Sequence, residues 1–422
     1  MNIINSQNDK PALLGGPKTF TKNITVEWPI YDATEEQGLI DVLNSKKWGR
    51  LHGDVTAQFQ TEFAQMMGMK HALATTCGTT ALYTMLGALD IGPGDEVIIP
   101  PYTFVATYNV VVLNYALPIL VDTDIESFQI DAKKIEKAIT KETKVLMPVH
   151  MGGIPADLDT IMAVAKKYKL TVIEDACQGP GSEWRGKKVG SYGIGGAFSF
   201  QSSKNLNSGE GGCITTNDDD FIKACYAFHH QGQTENAASY GTGIGTRGTN
   251  VRMTEWQARI LLAQMTRQKE QDKQRYENAA YLSSLFKNVK GISPAKLYPG
   301  TTYVSHHLYM SRYDKSQFAG LSLERFLDAL RAEGVPASRG YGRLDTDPYV
   351  AALAQNPHYL KIYGEKTMKQ WLERIKCPQN VKLADEAFWM NQRVLLGPKQ
   401  NMDKIVEAVL KIQKNAKDLI KK

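Results

Sequence analysis

Between His71 and Thr216 the chain alternates short apolar runs with helix-length segments, and this alternation constrains the fold more than any other feature. His71–Thr75, Glu96–Ile99, 118–122, 144–149 and Thr171–Asp175 read as strands. The stretches 80–89 and 156–168 read as helices, the second with apolar residues at helical spacing. Short strands at 197–200 and Gly212–Thr216 flank a Gly-rich loop. Parallel strands need long crossovers and helices supply them, so the pattern predicts a mostly parallel sheet with helices on both faces.

The pattern changes after Met253. The stretch 254–284 is long, polar and helix-like, and it predicts a link to a second unit. Beyond it come a strand-like run at 303–312 and helices at 323–333 and 402–417. The first 30 or so residues, with Gly15-Gly16-Pro17, read as an irregular arm. The division that results is a large domain over 1–270 and a smaller C-terminal α/β domain over 271–422.

Composition removes several classes of function. Apolar residues make up 42% and charged residues 22%, which is ordinary for a globular chain and excludes disorder as the default. A net charge of +6 is small for 422 residues, and the chain has no basic run of the kind that marks a nucleic-acid footprint. Five cysteines without a CxxC spacing argue against a disulfide framework and against a zinc site. No metal is expected. The N-terminus lacks an apolar leader segment and no run approaches the length of a membrane span, so a cytoplasmic location is expected.

Several polar features fall at strand ends, where open parallel sheets place their ligands. Gly78-Thr79 opens a helix after the strand His71–Thr75. The free N–H groups there suit a phosphate, and an ordinary tight turn is the alternative. Asp175 ends the strand Thr171–Asp175, where it either faces a site or caps the next element. Gln178, three residues on, could reach the same ligand. Ser199 and Lys204 lie in F-S-F-Q-S-S-K-N-L-N-S-G-E-G-G. Most lysines are solvated surface groups, but one whose ammonium form is disfavoured forms Schiff bases with aldehydes. Gly209, Gly211 and Gly212 would let backbone approach a ligand closely.

Together these segments resemble the DegT/DnrJ/StrS aminotransferases, sugar and cyclitol enzymes of pyridoxal phosphate (PLP) fold type I. The resemblance runs from Ala12 to the C-terminal helix, in the family's order. It rests on 74–82 (ATTCGTTAL), 92–107 (GPGDEVIIPPYTFVAT), 149–153 (VHMGG), 173–178 (IEDACQ), 198–212 and 250–255 (NVRMTE). It implies PLP as cofactor and Lys204 as the Schiff-base lysine. Asp175 is implied as partner of the pyridinium nitrogen, Gln178 as neighbour of the ring 3-hydroxyl and Phe104 as the ring stacked on the cofactor. Gly78, Thr79 and Ser199 match the phosphate cup. Asn250 matches the residue that reaches the neighbouring subunit's phosphate, which implies a homodimer with the site at its interface. His307 resembles a position near the substrate. The partners implied are a small-molecule amino donor, glutamate or glutamine, and a keto-sugar or keto-cyclitol acceptor.

Some members of the family carry histidine in place of the lysine and are dehydratases; Lys204 favours transamination here. The runs 199–204 and 386–398 resemble the scyllo-inosose aminotransferases and the amino-hydroxybenzoate synthases, so a dehydratase outcome of the latter type stays open. A regulatory, non-catalytic PLP-binding protein is the remaining alternative, and Lys204, Asp175 and Gln178 together argue against it. Cys177 stands where the family more often has alanine and reads as a packing substitution. The GxGxxG match at 243–248 follows no strand and reads as a loop. His150 could border the pocket. In His229-His230 and His306-His307, one of each pair reads as structural, because neighbours on a strand face opposite sides. Arg252 and Arg339 could hold a substrate carboxylate or form ion pairs. Trp48 and Trp184 read as packing.

Overall fold

A computed structural model describes residues 10–235 and 242–420. The first nine residues, on which the reading of the N-terminus partly depends, lie outside the described residues. Seven strands form the main sheet in the order His71–Thr75, Gly212–Thr216, Gly195–Ser199, Thr171–Asp175, Thr143–Leu146, Glu96–Ile99, Leu117–Leu120. Only Gly212–Thr216 runs against the others, pairing antiparallel with both neighbours. The sheet is therefore mostly parallel, and the fold is the α/β architecture expected. Its strands are buried almost throughout, as a sheet covered on both faces requires.

The helices are set by local chemistry. Asp157 and Asp218 cap Leu158–Tyr168 and Asp219–His229 by accepting from Thr160 and Phe221 N–H groups. The helix Gly78–Ala88 starts two residues earlier than the sequence suggests, because Ala81 N–H already bonds to Cys77 O at 3.0 Å. Two helices near the N-terminus, Ala33–Ser45 and Val55–Met67, carry no signal that the sequence reading used. Asp32 opens the first, its carboxylate accepting from Thr34 N–H while its own N–H donates to Glu35.

Glu255–Phe286 is one helix of 32 residues. Near its start Ala258, Leu261 and Leu262 pack with Phe59, Phe63 and Phe200 beside the main sheet. Near its end Ala279, Leu282 and Phe286 pack into a second core. That core lies on a four-stranded antiparallel sheet ordered Ile292–Pro294, Leu308–Tyr313, Ala387–Asn391, Ala337–Arg339. The helices Leu323–Ala332 and Gln400–Lys414 complete it. The strand-like run at 303–312 divides in two. Thr301–Tyr303 pairs with Glu183–Trp184, and Leu308–Tyr313 joins the smaller sheet. His306, held at φ 50°, makes the bend between them.

No single cut in the sequence separates the two cores. Phe20 and Ile24 of the arm pack in the second core. Conversely, the helix Pro357–Arg374 returns to the main sheet. Its Trp371 donates Nε1–H to Pro118 O at 2.7 Å, and Tyr359 packs in the main core beside it. Among the described residues no helix is long and apolar enough to cross a membrane.

Candidate active site

A cavity of about 560 Å³ lies beyond the carboxyl ends of the parallel strands. It collects Gly78, Thr79, Phe104, Asp175, Gln178, Ser199, Lys204 and His307 from five separated stretches of chain. Asn250 does not line it and is exposed, bridged to His230.

One end of the cavity is a helix N-terminus. Gly78 and Thr79 are the first residues of an 11-residue helix, where N–H groups lack intrahelical partners and the dipole is positive. Ser199 ends the neighbouring strand and faces the same space. The first turn is pressed tightly onto the sheet. A Cβ on Gly78 would lie 2.6 Å from Ser199 Cβ and 2.8 Å from Cys177 Sγ, so only glycine fits. Gly212 is small for a different reason than ligand approach: its Cβ would sit 2.2 Å from Cys77 O, so it admits the capping turn itself.

Asp175 is buried at 5% exposure. Its Oδ2 accepts from Thr107 Oγ1 at 2.8 Å and its Oδ1 from Cys177 N–H at 3.2 Å. It faces the cavity and caps no helix. Lys204 is half-buried, and loss of solvent lowers its pKa from the ordinary lysine value, against the opposing pull of Cys177 and Asp175. Burial pushes the Cys177 thiol well up, so it stays neutral and lines the wall as a small apolar group. Phe104 is 56% exposed and leaves its ring open to the cavity. Gln178 Oε1 accepts from Gly152 N–H at 2.9 Å and its Nε2 donates to Tyr341 OH at 3.2 Å.

Tyr341 was not singled out in the sequence. It follows the edge strand Ala337–Arg339, rests edge-on against Tyr102 and Trp389, and reaches the cavity from the second core. Burial pushes its phenol up to about 12. Thr103 and Thr107 lie in the run 92–107 on which the resemblance rests, but that run gives neither hydroxyl a role. Glu210 also lines the cavity.

The remaining candidates separate cleanly. His150 stands apart from the cavity lining, with both nitrogens engaged. Nδ1 accepts from Ala156 N–H, so Nε2 carries the proton and donates to Glu174 at 3.0 Å. His229 and His230 end a helix and are not on a strand, which removes the alternating-face argument for that pair. His230 accepts from Arg252 at 2.9 Å. His307 faces the cavity, its Nδ1 has no hydrogen-bond partner among the described residues, and burial lowers its pKa well below the ordinary value. Arg339 pairs with Glu324 on the surface. Trp184 is buried with its Nε1 on Asp159, whereas Trp48 is half-exposed against Trp256; neither lines the cavity. The run 243–248 is irregular apart from an isolated bridge between Ile244 and Gln233.

The cavity thus joins an anion-binding helix end, a desolvated lysine, a buried carboxylate and an open aromatic face, the set a phosphorylated pyridine aldehyde requires. The family model of the DegT/DnrJ/EryC1/StrS aminotransferases matches residues 29–408, and the chain belongs to that family. It is a PLP-dependent aminotransferase of the sugar and aminocyclitol type. It is 33% identical over 412 residues to the L-glutamine:2-deoxy-scyllo-inosose aminotransferase of Streptoalloteichus tenebrarius, covering 94% of this chain and 96% of that one. A GDP-perosamine synthase of Caulobacter vibrioides is 43% identical over 244 residues, 58% of this chain and 65% of that one. The crystal structure of 3-amino-5-hydroxybenzoic acid synthase superposes with a TM-score of 0.81 at 30% identity, covering 93% of this chain and 99% of that one.

Proposed function

We propose that the protein moves an amino group from glutamate or glutamine to a keto-cyclitol or keto-sugar, scyllo-inosose-like in size and polarity, by a ping-pong sequence. The observation that carries this is the desolvated Lys204 amine in one cavity with the buried Asp175 carboxylate and a helix N-terminus. When bound, PLP supplies an electron sink for the carbanion that amino transfer requires.

The residues divide the work. Gly78 and Thr79 N–H groups, with Ser199 Oγ, hold the phosphate. Asp175 would keep a proton on the ring nitrogen, and Gln178, its amide orientation fixed by Gly152, would serve the 3-hydroxyl. Phe104, exposed to the cavity, would stack on the ring. Lys204 would hold the cofactor, and its Nζ is the group that can take and return the substrate Cα proton. An amine held below the ordinary lysine value is the better base near neutrality. His307 borders the acceptor. Asn250 lies outside its own subunit's cavity, which supports a role at the neighbouring subunit's phosphate in a homodimer.

The test is the visible absorbance of the PLP-loaded protein before and after adding glutamate or glutamine alone. A yellow band that falls as the pyridoxamine band grows supports the donor half-reaction, and turnover then follows when scyllo-inosose or a keto-sugar is added. Borohydride reduction followed by peptide mapping should label Lys204, and a label on another lysine refutes its role. The similarity to the 3-amino-5-hydroxybenzoic acid synthase favours one second reading, a dehydratase outcome. A yellow band unmoved by every donor, with water released and an aromatic product formed, would select it.

A further inference from the structure

Two buried hydroxyls stand behind Asp175. Thr103, three residues before the helix Ala106–Leu113, and Thr107, in its first turn, are 5% and 1% exposed, and their Oγ1 atoms lie 2.8 Å apart. Thr107 Oγ1 is also 2.8 Å from Asp175 Oδ2. We propose that Thr107 is a positioning residue whose hydroxyl, backed by Thr103, holds the Asp175 carboxylate ionised and in one orientation toward the cofactor ring. This rests on the PLP and Asp175 roles proposed above.

The argument is proton counting. A threonine hydroxyl has one proton to give and can accept others. An ionised Asp175 can only accept, so Thr107 must donate to it. Thr107 Oγ1 is then free to accept, and Thr103 donates to it. Both hydroxyl protons point toward the carboxylate and favour its charge. A protonated Asp175 would reverse the chain. The other groups near the carboxylate do not replace this support. Cys177 gives one backbone N–H at 3.2 Å, and burial keeps its thiol neutral. The Tyr341 phenol, pushed up to about 12, is neutral and accepts from Gln178 Nε2, and it makes no hydrogen bond to Asp175. Lys204 and His307 line the same cavity, and burial disfavours the charged form of each.

A carboxylate stabilised as the anion leaves the shared proton on the ring nitrogen opposite it. That ring charge withdraws electrons and makes the nitrogen that joins Lys204 to the cofactor less basic. Without the Thr107 hydroxyl the pair shifts toward its neutral form, and that nitrogen becomes more basic. The experiment is a pH titration of the visible band in the PLP-loaded protein, compared across variants. Thr107→Val should raise the midpoint by about one to two units, the scale of one hydrogen bond to a charged group. Thr107→Ser, which keeps the hydroxyl, should restore it. Thr103→Val should move it the same way by less, and it carries the test if Thr107→Val does not fold. A wild-type band with an unmoved midpoint in the valine variants overturns the relay alone. No visible band in the wild-type protein overturns the cofactor reading and the relay with it.

Discussion

Replacing Gly78 by alanine tests the anion cup directly. The added Cβ would lie 2.6 Å from Ser199 Cβ, 2.8 Å from Cys177 Sγ and 3.2 Å from Ser199 Cα. Ordinary carbon contacts sit at about 3.5–4.0 Å, so the first turn must back away from the sheet by about 1 Å. Ser199 cannot give instead, because it is buried on a strand paired on both edges. A donor displaced by about 1 Å from a 2.9 Å hydrogen bond no longer makes it. One hydrogen bond to a charged group is worth about 1.5–3 kcal/mol. At about 1.4 kcal/mol per factor of ten, PLP should bind roughly ten- to a hundredfold more weakly. The assay is titration of apo protein with PLP by absorbance, with thermal melting of the same apo sample. Gly49→Ala is the control, because a Cβ there meets nothing within 4 Å. Affinity within about twofold of wild type would refute the assignment of this turn to the phosphate, whatever the melt shows.

Glu174→Gln should cost stability without entering the site. The buried Glu174 carboxylate accepts from Gly190 N–H (2.7 Å), Tyr192 N–H (2.7 Å), Gly193 N–H (2.9 Å) and His150 Nε2 (3.0 Å). An amide turns an N–H group against two of these donors, so a loss of about 3–6 kcal/mol is expected in denaturant unfolding; under 1 kcal/mol would contradict it. Lys204→Met in the apo protein tests desolvation of the amine. The folded state disfavours the ammonium, so the unfolded chain binds that proton more readily, and the penalty is full below the depressed folded value and fades as pH rises toward the ordinary lysine value. The variant should therefore melt higher than wild type near pH 7, with the gain vanishing above about pH 11; an equal gain at both would show that packing, not charge, sets it. Tyr341→Phe removes the acceptor of the Gln178 amide. A loss of about two- to tenfold in kcat/KM is expected from one neutral hydrogen bond, and wild-type kinetics would show Tyr341 to be wall only.

How much of the site was legible depended on whether a residue's role is local. Gly78, Asp175 and Lys204 sit at strand ends, where position in a βα unit already fixes direction, so sequence placed them in one cavity. Thr107 and Tyr341 reach the cavity through contacts across 68 and 163 positions of chain, to Asp175 and Gln178, and a threonine or tyrosine carries no periodic mark of such a contact. His150 shows the converse. It follows a strand like a site residue, yet Glu174 and Ala156 take both its nitrogens, and only the three-dimensional arrangement reveals that. The fold follows the same rule. Apolar runs of four or five residues announced the parallel strands, while the helix Pro357–Arg374 is half charged or polar and gives no hint that it covers Leu117–Leu120.

That return of the chain bears on how the site is held together. Tyr341 stands between Ala337–Arg339 in the smaller sheet and the helices Pro348–Leu353 and Pro357–Arg374, whose buried residues belong to the main core. Both ends of its segment are therefore anchored, one in each core. A tether fixed at both ends limits how far the cores can separate locally, and it limits Tyr341 most, because the tyrosine lies between the anchors. The Gln178–Tyr341 hydrogen bond then spans the same junction from the cavity side. Loss of the outer anchor, through the buried Trp371 indole that donates to Pro118 O, should loosen Tyr341 even though Trp371 does not line the cavity. Sequence reading divides the chain at one boundary, and such a division separates Trp371 from the main sheet that it stabilises.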